Sequence, residues 1–421
     1  MKYTFLILSN QPFYSEYKTN KWQIGTRLAK RGHNVVFVDP PLRFKALKVF
    51  LKKPSLNLLK LFFSTKKENE NLFVYSPANI FNFWPFSIWN TWIHARNINK
   101  LISKYGKSDK LVIWVYHFDY PALQNFLTNF NKDILIYDCV DEYTEFPEYS
   151  ERKTVNTGII SWIQWLDDEL KIRINQKGLS GKEWVLHQEK WLSDNADLLF
   201  VSAPGLITKF KKWRNDVTYL PNAGSYEMFE EKVNLDKEPE KLKGLPSPRI
   251  WFDGAIDSYK VDVNLIEKAA IKYPKYTFVI AGSDKVSDPN LDLSKLKVMK
   301  NVKFIGTFPY DEKPIYYSFV DVYTIPYNLN KYTVGGCFPT KYFDALAAGL
   351  PTVVTNLPAY EGFDVDGYVS KDDDKFIENI EKALKEDSPQ RKQKRKELAK
   401  QNSWDGKVDK QLKLISDFLD K

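Results

Sequence analysis

Cysteine is nearly absent from this chain, with only Cys139 and Cys337 in 421 residues. Two cysteines build neither a disulfide framework nor a zinc site, and the pair fits a reducing, cytoplasmic compartment. Histidine is also scarce, at four. Three of them, His33, His94 and His187, fall in helical or helix-end patterns and are expected to be inert. No run approaches the roughly 18 apolar residues that cross a bilayer. The N-terminal apolar stretch is short, runs into Ser9-Asn10-Gln11-Pro12 and lacks a small-residue cleavage site. It reads as a first strand and not a signal peptide. Acid is missing from one long segment: between Pro40 and Lys67 there are eight basic residues and no Asp or Glu.

The rest of the composition is globular, at 43% hydrophobic and 27% charged, with a net charge of +9. At this length two domains are the default. Large apolar residues such as Phe44, Leu47, Phe50, Leu51, Phe62 and Phe63 interleave the lysines of the basic segment. That pattern suits an anionic membrane surface, or a solvated helix pair with its apolar side in the core. Nucleic acid also attracts a basic patch, but no nucleic-acid motif accompanies this one. Phe81, Phe83, Trp84, Phe86, Trp89 and Trp92 form an aromatic cluster suited to the membrane–water boundary or to packing between helix and sheet. Trp162 and Trp165, with neighbouring isoleucines, form a third such cluster.

Strand, helix and strand follow one another at Phe5–Leu8, Trp22–Lys30 and Val35–Val38, a βαβ unit of a parallel sheet. Further strands are predicted at Leu111–Tyr116, Ile134–Tyr137 and Leu198–Ser202. Glu151–Gln188 is long for a connection and reads as an inserted helical hairpin. Leu220-Pro221-Asn222-Ala223-Gly224 reads as a turn between domains, and the charged, proline-containing 236–248 segment as a surface linker. A second series of strands begins at Arg249–Phe252 and continues at Tyr276–Ala281, Val302–Ile305, Val320–Ile325 and Pro351–Thr355. The expected fold is therefore α/β: two Rossmann-like, doubly wound parallel-sheet domains facing across a cleft. The expected boundaries are 1–222, 223–402 and a terminal helix at 403–421.

The most informative block is Pro339-Thr340-Lys341-Tyr342-Phe343-Asp344-Ala345-Leu346-Ala347-Ala348-Gly349-Leu350-Pro351, followed by a β-branched run. Gly335 and Gly336 read as flexible backbone leading into a helix that starts at Pro339 or Thr340. Gly349 ends that helix and Pro351 blocks its continuation. A glycine loop at a helix start is an anion site. Lys341 adds a positive charge, and Asp344 lies on nearly the same face. Phosphate and a sugar hydroxyl are the expected ligands.

This block resembles the donor-binding segment of retaining, GT-B-fold bacterial glycosyltransferases of the family-4-like, surface-polysaccharide type. Their pattern is Pro-x-Lys-x-x-Glu-Tyr-x-Ala-x-Gly-x-Pro-Val-Val. Asp344 stands here for the glutamate that holds the donor ribose, and Gly336 for a second glutamate that faces the sugar. Leu220–Gly224 resembles the family's Pro-Asn-Gly hinge. The run after Ser403 resembles its last helix, which crosses back to the N-terminal domain. Gly254 and Lys260 match a turn that contacts the donor diphosphate, with Ala255 in place of an arginine. Gly282 ends the next strand and suits close backbone approach to the nucleotide.

The resemblance implies transfer of a sugar from a nucleotide-diphosphate sugar with retention, and no metal or other cofactor. The basic, aromatic N-terminal face points to a glycolipid or surface-polysaccharide precursor as acceptor and to a protein on the cytoplasmic face of the membrane. His117 and Asp119, after a strand of the first half, are the candidate catalytic residues. Asp138 and Asp141 are candidate acceptor ligands, and one of Asp138, Asp141 and Glu142 is expected to cap a helix. Asp364-Val365-Asp366 has the look of a metal-binding Asp-x-Asp, but follows a loop late in the second half and is set aside. The competing functions are a sugar-nucleotide epimerase of the same fold and a non-enzymatic, transferase-like scaffold.

Overall fold

The computed structural model describes residues 1–41, 65–77, 86–105, 110–116, 118, 122–150, 166, 170, 172–173, 178–230, 237–283 and 290–420. The chain forms two compact units. One contains 1–201, 206–219 and 411–421, and the other 202–205 and 220–410.

The first unit is built on a sheet of eight described strands in the order β3-β4-β2-β1-β5-β6-β7-β8. These are β1 (Tyr3–Leu8), β2 (Asn34–Val38), β3 (Thr65–Lys67), β4 (Leu72–Tyr75), β5 (Lys110–Val115), β6 (Ile134–Cys139), β7 (Leu198–Val201) and β8 (Val217–Tyr219). All pair in parallel except the edge strand β3, which runs antiparallel to β4. Strands buried on both faces need continuous apolar runs. Accordingly Phe5, Leu6 and Ile7 of β1 and Val112 to Val115 of β5 have no solvent exposure. The exposed lysines of β3 protect that edge from further pairing.

The second unit holds a six-stranded, all-parallel sheet, β11-β10-β9-β12-β13-β14. Its strands are β9 (Arg249–Asp253), β10 (Thr277–Ala281), β11 (Val302–Phe304), β12 (Val322–Ile325), β13 (Thr352–Thr355) and β14 (Val369–Ser370). The α/β class with two parallel sheets is as expected. Missing from the sequence reading are β3, β4, β8 and β14, of two to four residues each, too short to show a period.

Each sheet reverses its winding once. In the first the reversal lies between β1 and β5, in the second between β9 and β12. Ligands of open α/β sheets sit at the carboxyl ends of strands at such points. Both cysteines are buried. His33 stacks on Tyr3 and accepts the Tyr3 backbone N–H, and burial first, then nearby cations, push its pKa down to about 4. His94 bonds the Tyr75 hydroxyl, and His187 stacks on Trp184. His33 and His94 are buried and serve packing, whereas His187 is exposed.

The basic 40–67 segment lies largely outside the described residues, as do Phe81, Phe83, Trp84, Trp162, Trp165 and most of the 151–188 segment. Among the described residues no helix is long and apolar enough to cross a membrane.

Gly254 and Gly282 hold the ends of β9 and β10 together. The Gly254 N–H donates to the Ala281 carbonyl at 2.8 Å, and a Cβ on Gly282 would fall on the Gly254 carbonyl. Gly282→Ala is therefore expected to cost roughly 1–3 kcal/mol, read as an earlier denaturant midpoint. An unchanged midpoint would show that the strand ends can part.

Candidate functional site

The carboxyl ends of β9, β10 and β12 converge in the second unit. Gly254 follows β9 with φ of +124°, a conformation that excludes ordinary side chains. The 255–260 turn is fastened to the loop after β12. Asn328 donates its side chain to the Ser258 carbonyl at 2.9 Å, Asn330 to the Tyr259 carbonyl at 2.6 Å, and the Asn328 N–H to the Lys260 carbonyl at 2.9 Å. Lys260 is thus carried on a fixed turn. Its ammonium pairs with Asp257 at 3.0 Å. Burial opposes its charge, but Tyr327, Tyr259 and Asp257 outweigh that and hold its pKa above the usual lysine value.

Lys341 opens the helix Lys341–Ala347. Its ammonium donates to the backbone carbonyl of Asp253 and lies 4.6 Å from the centre of the Phe252 ring. Burial, with Lys260 and Lys313 adding repulsion, lowers its pKa to about 8. Lys260 and Lys313 each have a carboxylate partner, whereas Lys341 bonds a carbonyl oxygen. The Asp253 carboxylate offsets part of the repulsion from those two lysines, but the Lys341 ammonium's bonded partner is a carbonyl dipole, which leaves it able to attract an anion.

Asp344 is buried and already bonded. One oxygen accepts the Ser225 N–H at 2.8 Å, and the other pairs with Lys313 at 2.7 Å. Burial opposes the charge on Lys313; the Asp344 carboxylate, with Tyr317 and Asp253, overcomes it and raises the pKa well above the usual value. Asp253 completes the cluster. It accepts from Trp251 at 3.0 Å, from Tyr317 at 2.8 Å and from Tyr323. Burial alone would raise its pKa, but Lys313, Lys341 and the two tyrosines lower it.

Structure thus brings Gly254, Lys260, Gly282 and Lys341 to one place. Gly335 and Gly336 differ from expectation: they close the helix Lys331–Gly336 and do not form a loop. Its capping box, between Asn330 and Thr333, carries the helix through both glycines. Thr340 is the N-cap position of the next helix but makes no side-chain cap. Asp364 accepts backbone N–H groups of its own turn, and Asp366 pairs with Arg395 at 2.6 Å, which gives both acids a structural task. Sequence reasoning missed Asp253, Lys313 and Ser225. An acid ending the apolar run of β9 was a usable signal; Lys313, opening the short helix Lys313–Tyr317 after a charged turn, offered none.

In the first unit, Asp138 lies at the carboxyl end of β6, buried, accepting from Trp114 at 3.2 Å and Gln411 at 3.5 Å. Asp141 follows two residues past the strand. The capping task falls to Glu142, which accepts the Thr144 N–H and pairs with Lys209 at 2.5 Å. His117 and Asp119 lie outside the described residues.

Residues 247–386 match the family model described as Glycosyl transferases group 1. TuaH of Bacillus subtilis (strain 168), named provisionally as a teichuronic acid biosynthesis glycosyltransferase, is 25% identical over 323 residues, 73% of this chain and 72% of its own. Among solved structures, sucrose-phosphate synthase from Thermosynechococcus elongatus superposes with a TM-score of 0.66 at 12% identity, over 99% of both chains. Anabaena HepE in complex with UDP-glucose superposes at 0.61 and 13% identity, over 98% of this chain and 99% of its own. The two structural likenesses establish the GT-B fold.

Lys313→Met would leave the Asp344 carboxylate buried without its cation, at an expected cost of about 3–5 kcal/mol. Adding Asp344→Asn should recover much of that loss in a double-mutant cycle followed by denaturant unfolding. Simple additivity would show that the pair is not coupled.

Proposed function

Because the chain is a glycosyltransferase of the GT-B fold with a group 1 domain in its second unit, we propose that the cluster around Lys341 holds the diphosphate of a nucleotide sugar. The observation that carries this reading is the Lys341 ammonium, bonded to a backbone carbonyl beside Gly254 at the sheet's reversal point. Gly254 leaves the room that the Lys341 ammonium occupies, and Gly282 the room for the Gly254 carbonyl, so both glycines shape the cluster. Lys341 and Lys260 stabilise negative charge as it grows on the leaving diphosphate. Each Asp344 oxygen keeps acceptor capacity beyond its present bond, which suits a ribose hydroxyl.

In the proposed reaction the bond from the anomeric carbon to the phosphate oxygen breaks, and the acceptor oxygen bonds the same carbon with retention. The acceptor's proton passes to the leaving phosphate. No metal is needed, since the lysines supply the positive charge. The acceptor class is a glycolipid or surface-polysaccharide precursor, in keeping with the assignment that TuaH carries by name.

Membrane contact belongs to the same reading. The helix Phe86–Tyr105 exposes Phe86, Ile88, Trp89 (63%) and Trp92 (50%). Arg96, Lys100 and Lys104 continue at four-residue spacing from Trp92 and border one open groove with it. Aromatic rings at the lipid boundary and cations toward anionic headgroups are the chemistry of an interfacial helix.

Calorimetry against UDP-, GDP- and dTDP-sugars tests the donor site. Lys341→Ala should weaken donor binding by roughly tenfold or more, about 1.4 kcal/mol. Lys394→Ala, on an exposed helix face, should not change it. Lys341 is charged below its pKa of about 8 and neutral above it, so affinity should fall as pH rises through 8. Lys341→Arg should flatten that fall. Equal affinities for the two alanine variants would remove Lys341 from the site.

For the membrane, co-sedimentation with anionic liposomes should be salt-sensitive and should drop severalfold in Trp89→Ser/Trp92→Ser. Binding that ignores both salt and these changes would exclude this helix as the contact.

A further inference from the structure

Among the described residues of the first unit, the buried Lys21 ammonium has no bonded partner. Lys21 lies in the first turn of the helix Asn20–Lys30, which follows β1, and is 4% exposed. Among the described residues it has no hydrogen bond and no ion pair. Its ammonium stands 5.6 Å from the centre of the Tyr116 ring, and Tyr116 directly follows β5. Lys21 therefore sits at the reversal point between β1 and β5, where open parallel sheets take their ligands.

Lys209 shows how this unit satisfies a buried lysine: Glu142 lies at 2.5 Å and Glu189 at 2.6 Å. Among the described residues Lys21 has no such partner. Burial lowers its pKa, and the nearby Asp141 and Asp138 only partly offset that. The Asp138 carboxylate is turned to Trp114 and Gln411. An uncompensated buried charge is costly, and a ligand of opposite sign removes the cost. The helix end points the same way. Thr19 bonds the Gln11 side chain at 2.5 Å and makes no cap, and the first turn holds no acid. An 11-residue helix adds positive potential there.

We propose that this crevice is a second anion site, in which the Lys21 ammonium receives a phosphate or carboxylate group carried by the acceptor. The anion site stands on the geometry of the first unit; calling its ligand the acceptor rests on the transferase reading above. Asp141 then faces the hydroxyls of the same sugar. The acceptor class is a phosphorylated sugar or a uronic acid, and a neutral glycan is disfavoured.

The test uses the full chain carrying Lys341→Ala, so that phosphate bound at the donor cluster does not enter the result. Inorganic phosphate and D-glucuronate are titrated calorimetrically into this protein and into Lys21→Met/Lys341→Ala. The first protein should bind at least one of the two anions. Lys21→Met should weaken that binding roughly tenfold or more and raise the thermal midpoint, because the unpaired charge is gone. Lys21→Arg should keep the binding, which separates loss of charge from misfolding. Preference for phosphate assigns a phosphorylated acceptor, and preference for glucuronate a uronic acid. Binding of neither anion, unchanged binding in Lys21→Met, or a lower melting point with unchanged binding would overturn the proposal. Failure of the donor reading would instead appear as unaltered nucleotide-sugar affinity in Lys341→Ala alone.

Discussion

The hydrogen bond from the Lys341 ammonium to the Asp253 carbonyl organises the second unit around its ligand end. It joins the start of one helix to the end of a central strand, 88 positions away in the chain. A backbone carbonyl offers a dipole and no formal charge, so the ammonium is anchored without being neutralised. Around this point Asp257 neutralises Lys260 and Asp344 neutralises Lys313. Three hydrogen bonds tie the 255–260 turn to the loop after β12. Positions are thus set before any ligand arrives, which lowers the reorganisation cost of stabilising charge in a reaction.

Much of this was legible in the sequence because it rests on short-range rules. Buried parallel strands require apolar runs, and the runs at Phe5, Val35, Leu111 and Ile250 were found for that reason. Lys341 stood out because glycine, proline and lysine in fixed spacing leave little choice of local backbone, and Lys260 because its turn resembles the family's diphosphate-contacting turn. What stayed hidden depends on long-range packing. Lys313 meets Asp344 from 31 positions away, and Tyr317 and Tyr323 meet on Asp253 from 64 and 70. Nothing local distinguishes those residues from ordinary loop and core positions. The reading of Gly335 and Gly336 failed in the opposite direction. Glycine's freedom suggested a loop, but an Asn330–Thr333 capping box committed the segment to a helix.

The two sheets solve a common problem with the same residue type in different states. At the second reversal point a lysine bonds a carbonyl and has two compensated lysines beside it. At the first, Lys21 is more deeply enclosed and has an aromatic ring as its near neighbour. Lys209 is also largely enclosed, with 11% of its side chain exposed, but holds two glutamates, and its pKa stays high. Burial by itself therefore does not mark a ligand site in this fold. What Lys21 and Lys341 share is burial without an ion-paired carboxylate among the described residues, a cost that an approaching anion relieves.

The two enclosed thiols have a practical consequence. Cys139 has no exposure, and burial, with Glu189 beside it, raises its pKa far above that of an ordinary thiol; Cys337 is buried as well. Neither presents a thiolate to a reagent in water. A cysteine introduced on an exposed helix face would be the fast-reacting thiol of the molecule. Fluorescent and spin probes can then be attached at chosen positions while both native cysteines remain in place.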